Sequence, residues 1–221
     1  MARVALSWSS GKDSAWTLHT LRQQTGHDVA ALVTTVNQQY ERVAMHAVRR
    51  QLLSAQAEAV GVSLIEVPIP NPCSSADYEA AMTRLIDELR RRDIDTMAFG
   101  DLYLQDIRAY REDRLKNTGI TPLFPLWQQP TRELAQGMID GGLKAVLTCV
   151  DPKQLAHEFS GRFFDRQLLQ DLPATVDACG ENGEFHSFVF DGPMFRIPLA
   201  IDIGETVERD GFYFTDVCAA G

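Results

Sequence analysis

Polar and apolar positions follow two alternating rhythms over the first 129 residues. Continuous apolar runs at Val4 to Trp8, Val29 to Val36, Ser63 to Pro68, Thr96 to Gly100 and Pro122 to Trp127 have the length of buried strands. Between them, apolar residues recur at helical spacing over Ala15 to Gln23, about Met45 to Val60, Ser75 to Arg91 and about Leu104 to Lys116. Gly61 reads as a helix C-cap, and Ser74 with Asp77 as a capping box after Pro72. Strand and helix in alternation predict an α/β fold: a five-stranded, parallel, doubly wound sheet with helices on both faces.

The texture changes after Pro130. Thr131 to Asp140 reads as a helix stopped by Gly141 and Gly142, Leu143 to Val150 as a buried strand, and Asp165 to Leu172 as another helix. Strands and turns follow, at Phe185 to Asp191, Gly192-Pro193, Phe195 to Ile203 and Gly211 to Val217. The expected organisation is a nucleotide-binding domain over 1–129 and a smaller α+β domain over 130–221.

Composition narrows the class. A chain of 221 residues, 45% hydrophobic and 23% charged, has enough apolar residues to build a core and no low-complexity stretch. Only about seven apolar residues precede Ser9, which is too short for a signal peptide, and no run nears the roughly 20 apolar residues of a membrane span. The expected location is cytoplasmic. Four widely spaced cysteines, with no Cys-x-x-Cys pair, read as reduced thiols. The net charge of −9 makes nucleic acid an unfavoured partner.

The chemistry begins where the first strand ends. Ser9-Ser10-Gly11-Lys12-Asp13-Ser14 joins that strand to a helix, so backbone N–H groups and the positive helix end converge on one point, which suits an anion. Gly11 permits close approach, Ser9, Ser10 and Ser14 offer hydroxyls, and Lys12 brings charge. The spacing excludes a Walker motif. The loop resembles the Ser-Gly-Gly-x-Asp-Ser pyrophosphate loop of the N-type ATP pyrophosphatases. Ser10 replaces the usual glycine there, a mild change provided φ stays negative. In a doubly wound sheet ligands sit beyond the carboxyl ends of the strands, which adds Thr34, Gly100 and Asp101. Adenine is expected against the end of the second strand, with Asp101 near the phosphates or their magnesium. His46 stays open between a structural role and adenine contact.

A second polar cluster spans Asp177 to His186, Asp-Ala-Cys-Gly-Glu-Asn-Gly-Glu-Phe-His. Locally it reads equally as a hairpin turn, with Asn182-Gly183 suited to positive φ, or as a site. Together with the Ser-x-Gly-Lys-Asp-Ser opening and the run Phe-Gly-Asp-Leu-Tyr-Leu-Gln-Asp-Ile-Arg at Phe99 to Arg108, it makes the chain resemble the diphthine-ammonia ligase family over nearly its whole length. That resemblance implies a HUP-like (PP-loop) ATP-binding domain followed by a substrate domain. It also implies ATP-dependent amidation, in which a carboxylate is adenylated with loss of pyrophosphate and ammonia displaces AMP.

On this reading ATP and Mg2+ are the cofactors, and the partners are a small or protein-bound carboxylate and ammonium. Lys12 and the backbone at Gly11 to Ser14 stabilise pyrophosphate, and Asp13 and Asp101 are metal or orienting groups. Glu181 and Glu184 meet a cationic group or ammonium, and His186 is either a base or a strand hydrogen-bonder. Arg108 meets nucleotide or substrate. Arg111 and Arg114 stand open between that role and a solvated face, while Glu112 and Lys116 are spaced for an ion pair. Cys179 reads as a buried thiol rather than a nucleophile. Two other functions share the first loop: a tRNA-modifying adenylating enzyme, and a nucleotide sensor without turnover. The sequence leaves a homo-oligomer open.

Overall fold

The computed structural model describes residues 1–37, 42–43 and 48–220. Its first sheet is built around β1 (Ala2–Ser7), which pairs in parallel with β2 (His27–Asn37) on one side and, across the sheet, with a strand much later in the chain (Thr96–Ala98). A two-residue strand, β3 (Arg42–Val43), runs antiparallel to the end of β2, beyond the point where β1 stops; the hydrophobic pattern gave no sign of it. The helix α1 (Lys12–Gln23) precedes β2, and α2 (Arg50–Val60) leads into β4 (Ser63–Ile69). The expected start of α2 near Met45, with His46, lies outside the described residues. Gly61 caps α2 in the left-handed region, and α3 (Ser75–Arg91) opens on the Ser74/Asp77 capping box. Then come β5 (Thr96–Ala98), α4 (Gln105–Leu115) and β6 (Thr121–Leu123).

The parallel strands stand in the order β4-β2-β1-β5-β6. The chain winds outward from β1 to β4, then returns across the sheet to β5, so strand order reverses between β1 and β5. Alternate residues of one strand serve opposite faces: Val4 and Leu6 join the core with α1 and α2, whereas Ala5 joins a separate core with Leu85 and Leu89 of α3.

The last parallel strand is shorter than the apolar run Pro122 to Trp127 predicts. Pro125 has no N–H to give a ladder, and the chain turns there, with Gln128 at φ 60° and its N–H donating to the Leu102 carbonyl at 2.7 Å.

Beyond α5 (Thr131–Asp140), a four-stranded antiparallel sheet forms from β7 (Lys144–Val150), β8 (Phe185–Asp191), β9 (Ile201–Arg209) and β10 (Phe212–Ala219), in the order β8-β7-β10-β9. A short helix, α6 (Arg166–Asp171), lies between β7 and β8. The expected strand Phe195 to Ile203 begins only at Ile201. Pro193 and Pro198 interrupt a ladder, and the segment is tied elsewhere: Arg196 N–H donates to the Ala59 carbonyl of α2 at 2.8 Å.

The core on the α1 and α2 side continues into this second sheet through Leu134, Val146, Phe185, Phe188 and Met194. The two sheets therefore bury one continuous apolar cluster, and β8 is carried onto the start of α1. Among the described residues no helix is long and apolar enough to cross a membrane.

Candidate active site

The loop after β1 is held by both sheets. The Ser10 carbonyl accepts from Val189 N–H of β8 at 3.0 Å and from Gln56 Nε2 at 3.1 Å; Gln56 in turn accepts from Trp8 Nε1 at 2.9 Å. Ser187 Oγ accepts the Lys12 N–H at 3.2 Å. Within the loop, Ser14 Oγ donates to the Gly11 carbonyl at 2.9 Å and lies 3.3 Å from Ser9 Oγ. Gly11 leaves little room for a side chain, since a Cβ there would lie 3.2 Å from the Ser187 carbonyl oxygen and β8 would have to give by a few tenths of an ångström. Gly100 is tighter: a Cβ would lie 3.0 Å from the Asp13 carbonyl carbon, against backbone, so glycine is what lets the end of β5 pass the first turn of α1 without a shift. Ser10 sits at φ 69°, in the left-handed region. The condition for a mild glycine replacement is not met, and the buried Ser10 hydroxyl has no partner among the described residues.

Lys12 is 2% exposed. Its ammonium donates to Asp13 Oδ2 at 2.9 Å and to the Cys179 carbonyl, and lies 5.3 Å from the Phe185 ring centre. Burial, the largest single influence, pushes its pKa down, but Asp13, Cys179 and Glu181 together push it up and the net shift is upward. The cation expected to face phosphate is thus the rivet between the first loop and the second polar cluster.

That cluster is organised by two carboxylates. Asp177 Oδ1 accepts the N–H groups of Cys179 and Glu181 at 2.9 and 3.2 Å. Glu184, 1% exposed, accepts from Asp177 N–H and Asn182 N–H at 2.9 Å each and from Asn182 Nδ2 at 3.0 Å. Glu184 therefore staples its own loop and does not line the cleft. Glu181 points the other way. Its Oε1 accepts from Leu102 N–H at 2.7 Å, binding the cluster to the run after β5, and burial raises its pKa to about 7, with the Asp13 and Asp101 charges adding to the shift. His186 lines the cleft, but burial and then Lys12 hold it down at about 4, so it is a neutral imidazole at pH 7. The Cys179 thiol is buried, donates to the Thr131 carbonyl at 3.3 Å and is pushed far up by burial, as an inert thiol should be.

Two cavities meet beside the loop. A polar one of about 230 Å³ is bounded by Gly11, Lys12, Asp13, Gly100, Asp101 and Glu181. An apolar one of about 260 Å³ lies at the carboxyl ends of β1, β2 and β5, walled by Thr34, Met82, Met97, Phe99 and Tyr110. Ser7, Ser9 and Arg111 line both. A flat apolar group with a polyanionic tail matches such a pair of joined chambers.

Of the residues singled out by sequence, the structure brings Ser9, Gly11, Lys12, Asp13, Ser14, Gly100, Asp101, Glu181 and His186 to the polar cavity and Thr34 to the apolar one. Ser10, Glu184 and Arg108 line neither. Arg108 is clasped between the Phe124 and Trp127 rings at 4.8 and 4.7 Å and bonded to Glu112 at 2.7 Å, so Glu112 pairs back to Arg108 rather than forward to Lys116. Arg111, left open in the sequence, donates from Nε and Nη2 to the two oxygens of Asp101 at 2.5 and 3.1 Å and covers the Phe99 ring at 4.5 Å. Its signal was the three-residue spacing from Arg108, which gave no means of choosing between the two.

Magnesium has a partial fit. Among the described residues no group of three or more His, Cys, Asp or Glu side chains can hold a metal. Both oxygens of Asp101 are engaged by Arg111, whereas Asp13 Oδ1 is buried without a partner among the described residues. One carboxylate oxygen suits an ion that takes its other ligands from phosphate and water.

A β4-β2-β1-β5-β6 parallel sheet, with an anion loop at its first βα turn and a Glu-Asn-Gly-Glu loop beside it, defines a doubly wound α/β protein with a ligand site at its switch point. Residues 2–122 match the family described as diphthamide synthase N-terminal domain, and residues 130–217 match its C-terminal domain. The chain belongs to the diphthamide synthase family and is an ATP-dependent ligase. It is 26% identical to the diphthine–ammonia ligases of Bos taurus and Homo sapiens, over 97% of this chain and 88% of each of theirs. Against that of Schizosaccharomyces pombe, a longer protein, identity is 24% over 91% of this chain and 36% of the other.

Proposed function

We propose that this ligase activates a carboxylate as its adenylate and transfers ammonia to it, diphthine or a related carboxylate being the acceptor. What supports the reading is one relationship: the loop that suits a triphosphate and the Glu-Asn-Gly-Glu cluster are riveted by Lys12, so nucleotide and acceptor share one polar cavity.

In the first step a carboxylate oxygen attacks the α-phosphorus and the bond to the bridging oxygen breaks, releasing pyrophosphate. The N-terminal turn of α1 faces that leaving group, with Lys12 adding positive potential from beneath. Asp13, through Oδ1, would hold magnesium travelling with the triphosphate, which neutralises phosphate charge when bound. In the second step Glu181 takes a proton from ammonium, ammonia attacks the acyl carbon, the acyl C–O bond to AMP breaks, and the surplus proton of the new amide nitrogen passes to solvent. Poised near pH 7, Glu181 suits that exchange, while His186 is too acidic a conjugate acid to serve. The acceptor is a small or protein-bound carboxylate, which the net charge of −9 favours over nucleic acid as a partner; self-association is compatible with the reading, and the location it fits is cytoplasmic.

The test is product analysis. Purified protein with magnesium-ATP, ammonium and extract of its own host is expected to yield AMP and pyrophosphate. ADP and phosphate would overturn adenylation, and ATP binding without turnover in any extract would make the chain a nucleotide sensor.

A further inference from the structure

Arg111 stands at the junction of the two cavities, and neither step of the proposed reaction uses it. It is the cation shared by both: its neighbour Arg114 lines only the apolar chamber and is paired with Glu79 at 2.8 Å. Its side chain is 30% exposed, and the guanidinium is fixed on two sides, by the Phe99 ring and by the two-point bond to Asp101. That bond employs Nε and Nη2, which leaves the Nη1 N–H groups for a ligand. A guanidinium held by one fork and stacked on a ring is preorganised and loses little freedom on binding an oxyanion.

The position selects the oxyanion. If the base occupies the apolar chamber and the β- and γ-phosphates rest on the loop at Gly11, the group between them is the α-phosphate, and the residues between them are Ser7, Ser9 and Arg111. We infer that Arg111, oriented by Asp101, grips the α-phosphate of the nucleotide, the phosphorus at which the carboxylate attacks. The inference rests on the proposed use of ATP. It also gives Asp101 a task other than metal binding, as the residue that aims the guanidinium.

The test compares ligands that differ only in that phosphate. Adenosine and AMP are titrated by calorimetry into wild type and into Arg111→Gln and Arg111→Lys, with thermal midpoints recorded. In wild type AMP should bind more tightly than adenosine. Arg111→Gln should cut the AMP-to-adenosine affinity ratio by roughly tenfold or more while adenosine affinity holds, the loss expected for a charged hydrogen bond. Arg111→Lys, which keeps the charge but loses the fork, should restore part of the ratio. An unchanged ratio in folded Arg111→Gln protein, or equal losses for adenosine and AMP, would overturn the assignment and leave Arg111 a packing residue. If wild type bound neither adenosine, AMP nor ATP, it is the nucleotide reading itself that would fail.

Discussion

The Lys12 ammonium donates to the backbone carbonyl of Cys179, 167 residues further along the chain, while also holding Asp13. A lysine in an anion loop ordinarily points at the anion; here it is 2% exposed and joins the loop to the cluster that closes over it. Replacing Lys12 by alanine should therefore do two things. It should abolish ATP turnover, and it should lower stability by about 3 kcal/mol, the cost of breaking a buried pair and orphaning its partner. Denaturant titration of Lys12→Ala and Lys12→Met separates charge from volume: a wild-type midpoint in both would remove the bridging role.

Glu184 predicts a structural phenotype inside what resembles a catalytic motif. Its three hydrogen bonds hold Asp177 and Asn182, and through them the backbone that carries Glu181. Glu184→Ala leaves two part-buried N–H groups to find water instead of a carboxylate and should cost about 1 to 2 kcal/mol. Glu184→Gln keeps one acceptor oxygen and should lose less. Thermal unfolding reads both; if Glu184→Ala melts with wild type while losing activity, the carboxylate works on substrate and not on its loop.

Glu181 predicts a pH signature. Folding raises its pKa from 4.5 to about 7, chiefly through burial. Between those values the unfolded chain has released a proton that the folded chain keeps, so the group's contribution to stability is fullest below 4.5, declines across the window and levels off above about 7. Glu181→Gln should flatten that decline. The kinetic sign is opposite: a carboxylate able to take a proton from ammonium gains as pH rises, so amidation should climb through about pH 7 in wild type. The Gln variant should bind ATP yet lose amidation, and a rise of the same shape in its residual rate would assign the titration elsewhere.

The parallel sheet was legible because buried strands and their covering helices leave contiguous apolar signals, and Ser9 to Ser14 was legible because a phosphate loop is a local structure. What stayed hidden was non-local. Nothing in the spacing of Lys12 reveals that β8 will lie across α1, or that Ser187 will take the Lys12 N–H. Arg108, Arg111 and Arg114 are equivalent as sequence, and only the packing of α4 against Phe99 and Phe124 sends one to the cavity junction and another between two rings. The Glu181/Glu184 pair divided likewise: two similar carboxylates three residues apart, one turned to the cleft and one to its own backbone.

Ser10 offers a prediction of opposite sign. It sits at φ 69° with a buried hydroxyl that finds no partner among the described residues, and its side chain lines neither cavity. A left-handed conformation costs a non-glycine residue about 1 kcal/mol, and an unsatisfied buried hydroxyl costs a further 1 kcal/mol or so. Glycine removes both, against roughly 0.5 to 1 kcal/mol of added chain entropy in the unfolded state. Ser10→Gly should thus stabilise the fold by about 1 kcal/mol with ATP affinity unchanged, because the loop's hold on β8 runs through the Ser10 carbonyl, which glycine retains. Chemical denaturation and nucleotide titration of that one variant decide it: a destabilised protein would mean that the hydroxyl is bonded in solution, and a drop in ATP affinity would return Ser10 to the phosphate site.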